Sequence, residues 1–363
     1  MPYWSIDFLY AASVFVCVSR RELDVHARRL LAAQLVCVMC FLLFPLRFTF
    51  ERPQTEGFFG WMFDMLTGFD QPFNQAPSLH IALAVILWLL YLRRAGRWRW
   101  LVHGWFALIG VSVLTTYQHH FVDVPTGVLA GWLCVWLLPD AGGSPLAAAR
   151  LSGDPARVRL ALAYGAGAAA AALSALYAGG WALWPLWVAS ALAMVSLIYA
   201  ALGEGAFQKA ADGSLSPAVR WLLAPYLAGA WLNSRWWTRS CAPASAVVPG
   251  LWIGRLPTRA ERDALGVRAL VDVTAELPCN SRGVHYFSVP QLDLILPSAG
   301  QLQRAVQAIE SALPRGPVLV CCALGFSRSA AAVAAWLAAS GRARDMAEAI
   351  EQVRRARPSV VWR

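Results

Sequence analysis

Seven apolar runs, at roughly 6–18, 28–46, 78–92, 100–115, 124–139, 158–178 and 182–202, constrain this chain more than any other feature. A bilayer core is spanned by about 20 apolar residues in a helix, or somewhat fewer where the ends snorkel. Hydrocarbon offers no partner to open backbone, so such runs fold as helices. Composition agrees. Of 363 residues, 58% are hydrophobic and only 14% are charged, with a mean hydropathy of +0.49. That is too apolar for one soluble domain. The length leaves room for a helical membrane region and one further domain of roughly 100–150 residues. The run 6–18 is short and has no basic flank before it, which reads as a short membrane helix rather than a cleaved leader.

Basic residues orient the runs. Arg20, Arg21, Arg28 and Arg29 fall in one loop, and Arg93, Arg94, Arg97 and Arg99 in another. Arg150, Arg157 and Arg159 follow the fifth run, whereas loop 47–77 carries Glu51, Glu56, Asp64 and Asp70. Arginine-rich loops stay cytosolic. Loop 47–77 and the loop after the fourth run are therefore expected outside, and everything beyond the seventh run in the cytosol. The expectation is a multi-pass protein of the cytoplasmic membrane. The net charge of +10 is spread between apolar runs and gathers in no single patch, which argues against a nucleic-acid partner. Cys17, Cys37, Cys40 and Cys134 sit in apolar runs as small buried residues. Cys37 and Cys40 form C-x-x-C inside a span, where a helix face is expected rather than a zinc or redox site. No metal-type spacing appears, and no metal or cofactor is expected.

Residues 204–240 mix Gly, Pro, Trp and Arg. They read as an interfacial segment with Trp221, Trp231, Trp236 and Trp237 at headgroup level. An eighth span there is the alternative, and it would move everything downstream across the membrane. From about 245 the texture becomes α/β. "LWIG", "ALVDVT", "HYFSVP" and "PVLVCC" read as strands, and 298–313, 328–340 and 343–356 as helices. The expected fold is an α-helical polytopic membrane bundle followed by a C-terminal α/β domain, a central sheet flanked by helices. The expected divisions are 1–140, two additional transmembrane helices in 141–203, an interfacial linker at 204–244 and the α/β domain at 245–363.

Three polar clusters meet the membrane at its outer face: Arg52-Pro53 after the second run, Pro77-Ser78-Leu79-His80 opening the third, and His119 with Asp123 before the fifth. Ionisable groups at membrane depth are costly and mark function. Phosphoryl transfer suits them. One imidazole attacks phosphorus, a carboxylate orients its other nitrogen, a second imidazole protonates the leaving oxygen, and an arginine neutralises the phosphoryl oxygens. This arrangement resembles the type 2 phosphatidic acid phosphatase superfamily through "ERP", "PSLH" and "HHFVDVPTG" over about residues 45–131. The resemblance implies His119 as nucleophile, Asp123 as its orienter, His80 as acid, and Arg52 with Ser78 as phosphate cradle. The chain departs from the family in three places. The lysine usual before Arg-Pro is missing, with Arg47 as a substitute. Val113 stands where an arginine is usual, and Leu79 replaces a glycine. These variants are closer to the inositol phosphorylceramide synthase branch, so a phospho-headgroup transferase is the alternative to a hydrolase. Fewer spans than usual precede the first motif, which leaves the N-terminus open to being incomplete. His120 is the weaker neighbour, and His26 and His103 are expected to be structural.

The second site is "VLVCCALGFSRS", a cysteine between a buried strand and a helix with an arginine six residues on. A loop of that length turns successive amides inward at a helix N-terminus and makes an anion nest. Arg328 would fork onto two phosphate oxygens. The same dipoles favour a Cys322 thiolate, which would attack phosphorus in line. Asp293 is the candidate acid, and Ser329 would assist breakdown of the thiophosphate. The stretch resembles the dual-specificity branch of the protein tyrosine phosphatase superfamily. "GLWIGRLPT", "LVDVTAELP", "VPQLD", "CCALGFSRS" and "RARP" occur in the family's order across nearly all of 247–360. The resemblance implies Cys322 as nucleophile, Arg328 as phosphate binder, Asp293 as acid and Ser329 as hydrolytic aid. The loop amides of Ala323, Leu324, Gly325, Phe326 and Ser327 would cradle phosphate. Cys321 stands where the family usually has a histidine, so weaker activation is implied. A vicinal Cys321–Cys322 disulfide is disfavoured because such bridges are strained. The loop carries no positive charge besides Arg328, which disfavours polyphosphorylated headgroups. The expected function is a bifunctional membrane phosphatase, acting on a phospholipid or phosphoprotein inside and on lipid phosphate outside. A membrane sensor that binds phosphate without turnover is the remaining alternative.

Overall fold

The computed structural model describes residues 2–51, 56–69 and 73–362. The chain divides into two compact units, residues 1–147 and 148–363. Arg52, Pro53 and Asp70 lie outside the described residues.

The first unit is helical: α1 (Pro2–Val16), α2 (Arg20–Leu43), α3 (Gly57–Phe69), α4 (Leu79–Arg94), α5 (Arg99–Thr115) and α6 (Asp123–Leu137). Ser19 caps α2 and Ser78 caps α4, each accepting from an amide of the first turn. Helix α3 forms inside what reads from sequence as a loop. Among the described residues of this unit, α2 alone is long and apolar enough to cross a membrane. Helices α1, α4, α5 and α6 hold 15 to 17 residues, short of the length a perpendicular span needs. Helices α4 and α6 approach closely because Gly127 and Gly131 face α4. A Cβ on either would stand 2.6 Å from the Ser78 carbonyl or 2.7 Å from that of Ala82. That approach lets the Ser78 amide donate to the Asp123 carbonyl at 3.2 Å, so two distant motifs meet.

The second unit opens with α7 (Pro155–Ala178) and α8 (Pro185–Leu197), joined as a hairpin, with α8 running on through a π-turn to Leu202. Both are long and apolar enough to cross a membrane. The exterior of α7 carries exposed Leu162, Leu173, Leu176 and Tyr177, and that of α8 Val188 and Leu197, as a lipid-facing surface does. Short α9 (Pro217–Leu222) and α10 (Ala224–Trp237) follow.

The α/β portion contains β1 (Ala244–Val248), β2 (Leu251–Arg255), α11 (Arg259–Ala264), β3 (Ala269–Thr274), β4 (His285–Gln291), α12 (Ala299–Ala312), β5 (Val318–Cys322), α13 (Arg328–Ala339) and α14 (Met346–Ala356). The sheet order is β1-β2-β5-β3-β4. Strands β2, β5, β3 and β4 are parallel, and β1 is antiparallel on the edge. Central β5 is buried at every residue, as a strand covered on both faces must be. Val318, Val320 and Cys322 point to the core shared with Ala330, Val333 and Trp336 of α13. Leu319 and Cys321 point to the opposite core with Leu270 and Leu277. This alternation separates the two adjacent thiols, and all eight cysteines are free.

The segment before the sheet also docks on it. Lys209, the chain's single lysine, is buried against Asp272 at 2.6 Å, and its ammonium donates to the Thr274 carbonyl at 2.7 Å. Asp272 also accepts from the Tyr286 hydroxyl at 2.7 Å and the Thr274 amide at 2.8 Å. Replacing Lys209 by methionine strands a buried carboxylate that still keeps two donors. The expected loss is about 1–3 kcal/mol, read as a lower unfolding midpoint of the full chain. An unchanged midpoint would show that the ion pair contributes no net stability.

Candidate active sites

The helical unit brings its imidazoles together at the start of α4 and α6. His119 lies in the turn before α6, and Asp123 is that helix's first residue. His119 Nδ1 faces Asp123 Oδ2 at 3.3 Å, and its Nε2 faces Ser78 Oγ at 3.0 Å. With Nδ1–H donating to the carboxylate, Nε2 keeps its lone pair and accepts from the serine hydroxyl. Asp123 is further fixed by the His120 amide at 2.8 Å. His119, Asp123 and Ser78 are all buried. His80 lies in the first turn of α4, two residues after Ser78. It stacks on Tyr3 of α1 with centroids 4.2 Å apart. Its buried Nε2 has no hydrogen-bond partner among the described residues. His120 bonds Thr49 through Nε2 and packs against the rings of Phe48 and Phe50, with its Nδ1 3.8 Å from Asp123 Oδ2. His26 is bonded to Ser13 and His103 to Trp88; both are structural. The Arg52 contribution lies outside the described residues.

The α/β site is built at the carboxyl end of β5, where the parallel strands run out and α13 begins. The loop 323–327 is held from behind. Its Ala323 carbonyl accepts from Ser234 Oγ of α10 at 2.5 Å, its Gly325 carbonyl from Arg357 Nε at 2.9 Å, and its Phe326 carbonyl from the Val361 amide at 2.8 Å. Carbonyls drawn outward leave amides free to turn inward, and the Gly325 amide points at Cys322 Sγ, 3.1 Å away. Gly325 has φ +74°, and a Cβ there would stand 2.3 Å from the Gly254 backbone, so no other residue fits. Ser329 Oγ lies 3.4 Å from Cys322 Sγ.

Arg328 is the most constrained side chain of the site. Nη1 donates to Glu276 Oε2 and to the Gln291 carbonyl, both at 2.8 Å, and Nη2 donates to Glu276 Oε1 at 2.7 Å. Nη2 also pairs with Asp293 Oδ1 at 3.0 Å. Burial works to lower the guanidinium pKa, but the carboxylates of Asp293 and Glu276 override it and hold it well above the ordinary value. Burial likewise works to raise the Glu276 carboxyl, and Arg328 overrides it, so Glu276 stays below its ordinary range. Arg328 Nε is buried and has no hydrogen-bond partner among the described residues. Nε is therefore open to an arriving phosphate oxygen, and a phosphate that displaced Asp293 from Nη2 would be forked by the Nε–Nη2 edge. Asp293 lines the same cavity as Cys322 and Arg328, and its carbonyl accepts from Tyr199 of α8 at 3.0 Å. Cys321 points away from this cavity. Burial first, then the nearby Asp272 and Cys279, push its thiol well above the ordinary range, so it adds no second thiolate.

Three residues of this site escape a reading of the sequence alone: Glu276, Arg357 and Ser234. Glu276 and Arg357 sit inside the quoted "LVDVTAELP" and "RARP", which carried the only signal. Ser234 had none.

Residues 1–137 match the family model of the PAP2 superfamily, and residues 251–363 match that of the dual specificity phosphatase catalytic domain. No curated protein matches the chain. Several solved structures do. Human DUSP28 is 29% identical over 33% of this chain and 84% of its own, with a TM-score of 0.29. Tk-PTP in the active form is 30% identical over 33% and 88%, with a TM-score of 0.31. PTPMT1 in complex with PI(5)P is 23% identical over 34% and 88%, with a TM-score of 0.30.

Proposed function

We propose that this chain, a phosphatase joining a PAP2-superfamily domain to a dual specificity phosphatase catalytic domain, splits phosphomonoesters with two different nucleophiles. In the α/β domain the Cys322 thiolate attacks phosphorus as the bond to the leaving oxygen breaks. Asp293, displaced from Arg328 by the arriving phosphate and protonated, gives that oxygen its proton. Arg328 and the loop amides of residues 323–327 hold the three remaining oxygens, whose charge is largest in the transition state. Water then attacks the phosphocysteine, Asp293 takes its proton, and inorganic phosphate leaves. Ser329 donates to the departing sulfur. The observation that carries this reading is the Gly325 amide turned onto Cys322 Sγ, with the buried Arg328 Nε left without a hydrogen-bond partner among the described residues.

In the helical domain His119 Nε2 attacks a lipid phosphate, Asp123 steadies the imidazolium through Nδ1, and His80 protonates the leaving oxygen. Arg52 and Ser78 cradle the phosphoryl oxygens. Water resolves the phosphohistidine. The buried His80 Nε2, without a hydrogen-bond partner among the described residues, and the His119–Asp123 pair support this assignment. The domains divide at about 140, 203 and 244. The α/β domain faces the cytosol, supported by the arginine-bearing loops and by the reducing compartment a catalytic thiolate needs.

Rapid quench with labelled substrate tests both halves. Phosphohistidine is lost in acid whereas phosphocysteine survives it. An acid-labile adduct should vanish in His119→Ala and an acid-stable one in Cys322→Ser; an adduct that persists in its own variant removes that nucleophile. In Ser329→Ala the acid-stable adduct should accumulate, with breakdown slowed by about 10- to 100-fold, the worth of one hydrogen bond to a charged group. Unchanged breakdown would remove Ser329 from the second step.

A further inference from the structure

The cavity that ends at Cys322 is larger than a phosphate needs. Its volume is about 690 Å³, within the roughly 300–1,000 Å³ of sites that enclose a whole small molecule. Its lining is divided. The charged members are Glu276, Asp293 and Arg328, gathered beside Cys322. The far wall comes from the helices that precede the sheet: Tyr164 of α7, Val188 and Leu192 of α8, and Tyr226, Gly229 and Ala230 of α10. Val188 and Leu192 stand one turn apart on one face, as do Tyr226 and Ala230, and Asn233 of α10 adds a polar side chain to the same wall. A Cβ at Gly229 would meet nothing within 4 Å, so this position opens onto the space. Helices α7 and α8 are also two of the helices long and apolar enough to cross a membrane. Thus the phosphate site and the membrane helices share one chamber inside one unit.

Such a wall discriminates among phosphate esters. A phosphopeptide would bring backbone amides and carbonyls that must keep hydrogen-bond partners. A polyphosphorylated headgroup would need further cations, and Arg328 is the one basic residue lining the chamber. A hydrocarbon tail needs neither, and its burial against Val188, Leu192 and Ala230 is favourable. We infer that the Cys322 site takes a lipid phosphomonoester, with its single phosphate on Cys322 and Arg328 and its tail along the α7–α8–α10 groove. This rests on the reading of Cys322 as nucleophile. It makes the helices before the sheet a specificity element as well as an anchor.

The test uses the full chain in nanodiscs, in a His119→Ala background so that turnover comes from Cys322 alone. Water-soluble alkyl phosphates from ethyl to octyl, and a phosphotyrosine peptide, are compared by kcat/KM. Each methylene that enters the groove should raise kcat/KM by up to about fourfold, and octyl phosphate should exceed the peptide. Gly229→Trp and Leu192→Asn should each lower the octyl-to-ethyl ratio by about tenfold or more. A flat series, or a peptide turned over faster than octyl phosphate, overturns the groove while Cys322→Ser remains inactive. Turnover that survives Cys322→Ser in this background overturns the nucleophile itself. The alkyl series needs no groove variant, so misfolding of either variant leaves it decisive.

Discussion

Cys322→Ser is expected to lower turnover by the α/β domain by on the order of 10⁴–10⁶, the scale seen when a nucleophile is removed. The reason is local. Sγ is approached by the Gly325 amide at 3.1 Å and by Ser329 Oγ at 3.4 Å. An amide and a hydroxyl supply donors and no base. A serine hydroxyl placed there keeps its proton near neutral pH, and nothing within reach removes it. The rest of the phosphate site is untouched, because the loop is held by Ser234, Arg357 and Val361 rather than by the thiol. The variant should therefore still bind substrate while failing to turn it over. Calorimetric binding of an alkyl phosphate alongside a steady-state assay, in the His119→Ala background, separates the two effects. Turnover within about tenfold of the parent would mean that another group attacks phosphorus.

Glu276→Gln is expected to damage both stability and turnover. Arg328 is buried, and its two Nη groups are shared among Glu276, Asp293 and the Gln291 carbonyl. Removing the bidentate carboxylate leaves the buried guanidinium with Asp293 and the Gln291 carbonyl alone, at a cost of up to about 3 kcal/mol. The amide nitrogen of glutamine would also face a guanidinium that can only donate. With the fork free to shift by an ångström, turnover should fall by about 10²-fold. The pH dependence has a definite sign. Arg328 depresses the Glu276 carboxyl below its ordinary value of 4.5 despite burial, which works the other way. Its stabilisation is therefore fully present above about pH 4.5 and is lost as pH falls through the lower folded value. The stability gap between parent and variant should narrow on acidification below about 4.5. A gap constant down to lower pH would show that the carboxylate's charge contributes nothing.

Much of the α/β domain was legible because its signals are local. "PVLVCC" is apolar at every position, and β5 is buried on both faces. The strands at 251, 269 and 285 and the helices after 298, 328 and 346 fall within a few residues of their expected places. Cys322 and Arg328 are separated by one loop, so a short motif carries their relation. Edge strand β1 went unread, having only a short alternating run to mark it. Helix α3 went unread because a stretch with both acidic and aromatic residues suits a loop equally well.

The remainder was hidden by distance along the chain. Glu276 meets Arg328 across 52 residues, Arg357 meets Gly325 across 32, and Ser234 meets Ala323 across 89. No periodicity encodes such pairs, since they exist only once the sheet is assembled. The same holds for Ser78 with His119, 41 residues apart, which meet because two glycines let α4 and α6 approach.

From its order of residues alone, this chain determined that apolar helices precede an α/β domain with a cysteine and an arginine flanking one loop. Helix period, strand alternation and loop length are properties of neighbouring residues, and neighbours suffice to express them. Tertiary structure alone decided that Glu276 holds Arg328, that Ser234, Arg357 and Val361 hold the carbonyls of loop 323–327 while the Gly325 amide meets Cys322, and that residues of α7, α8 and α10 line the cavity at Cys322. Those relations are made by burial and close approach, and burial is a property of the folded chain as a whole.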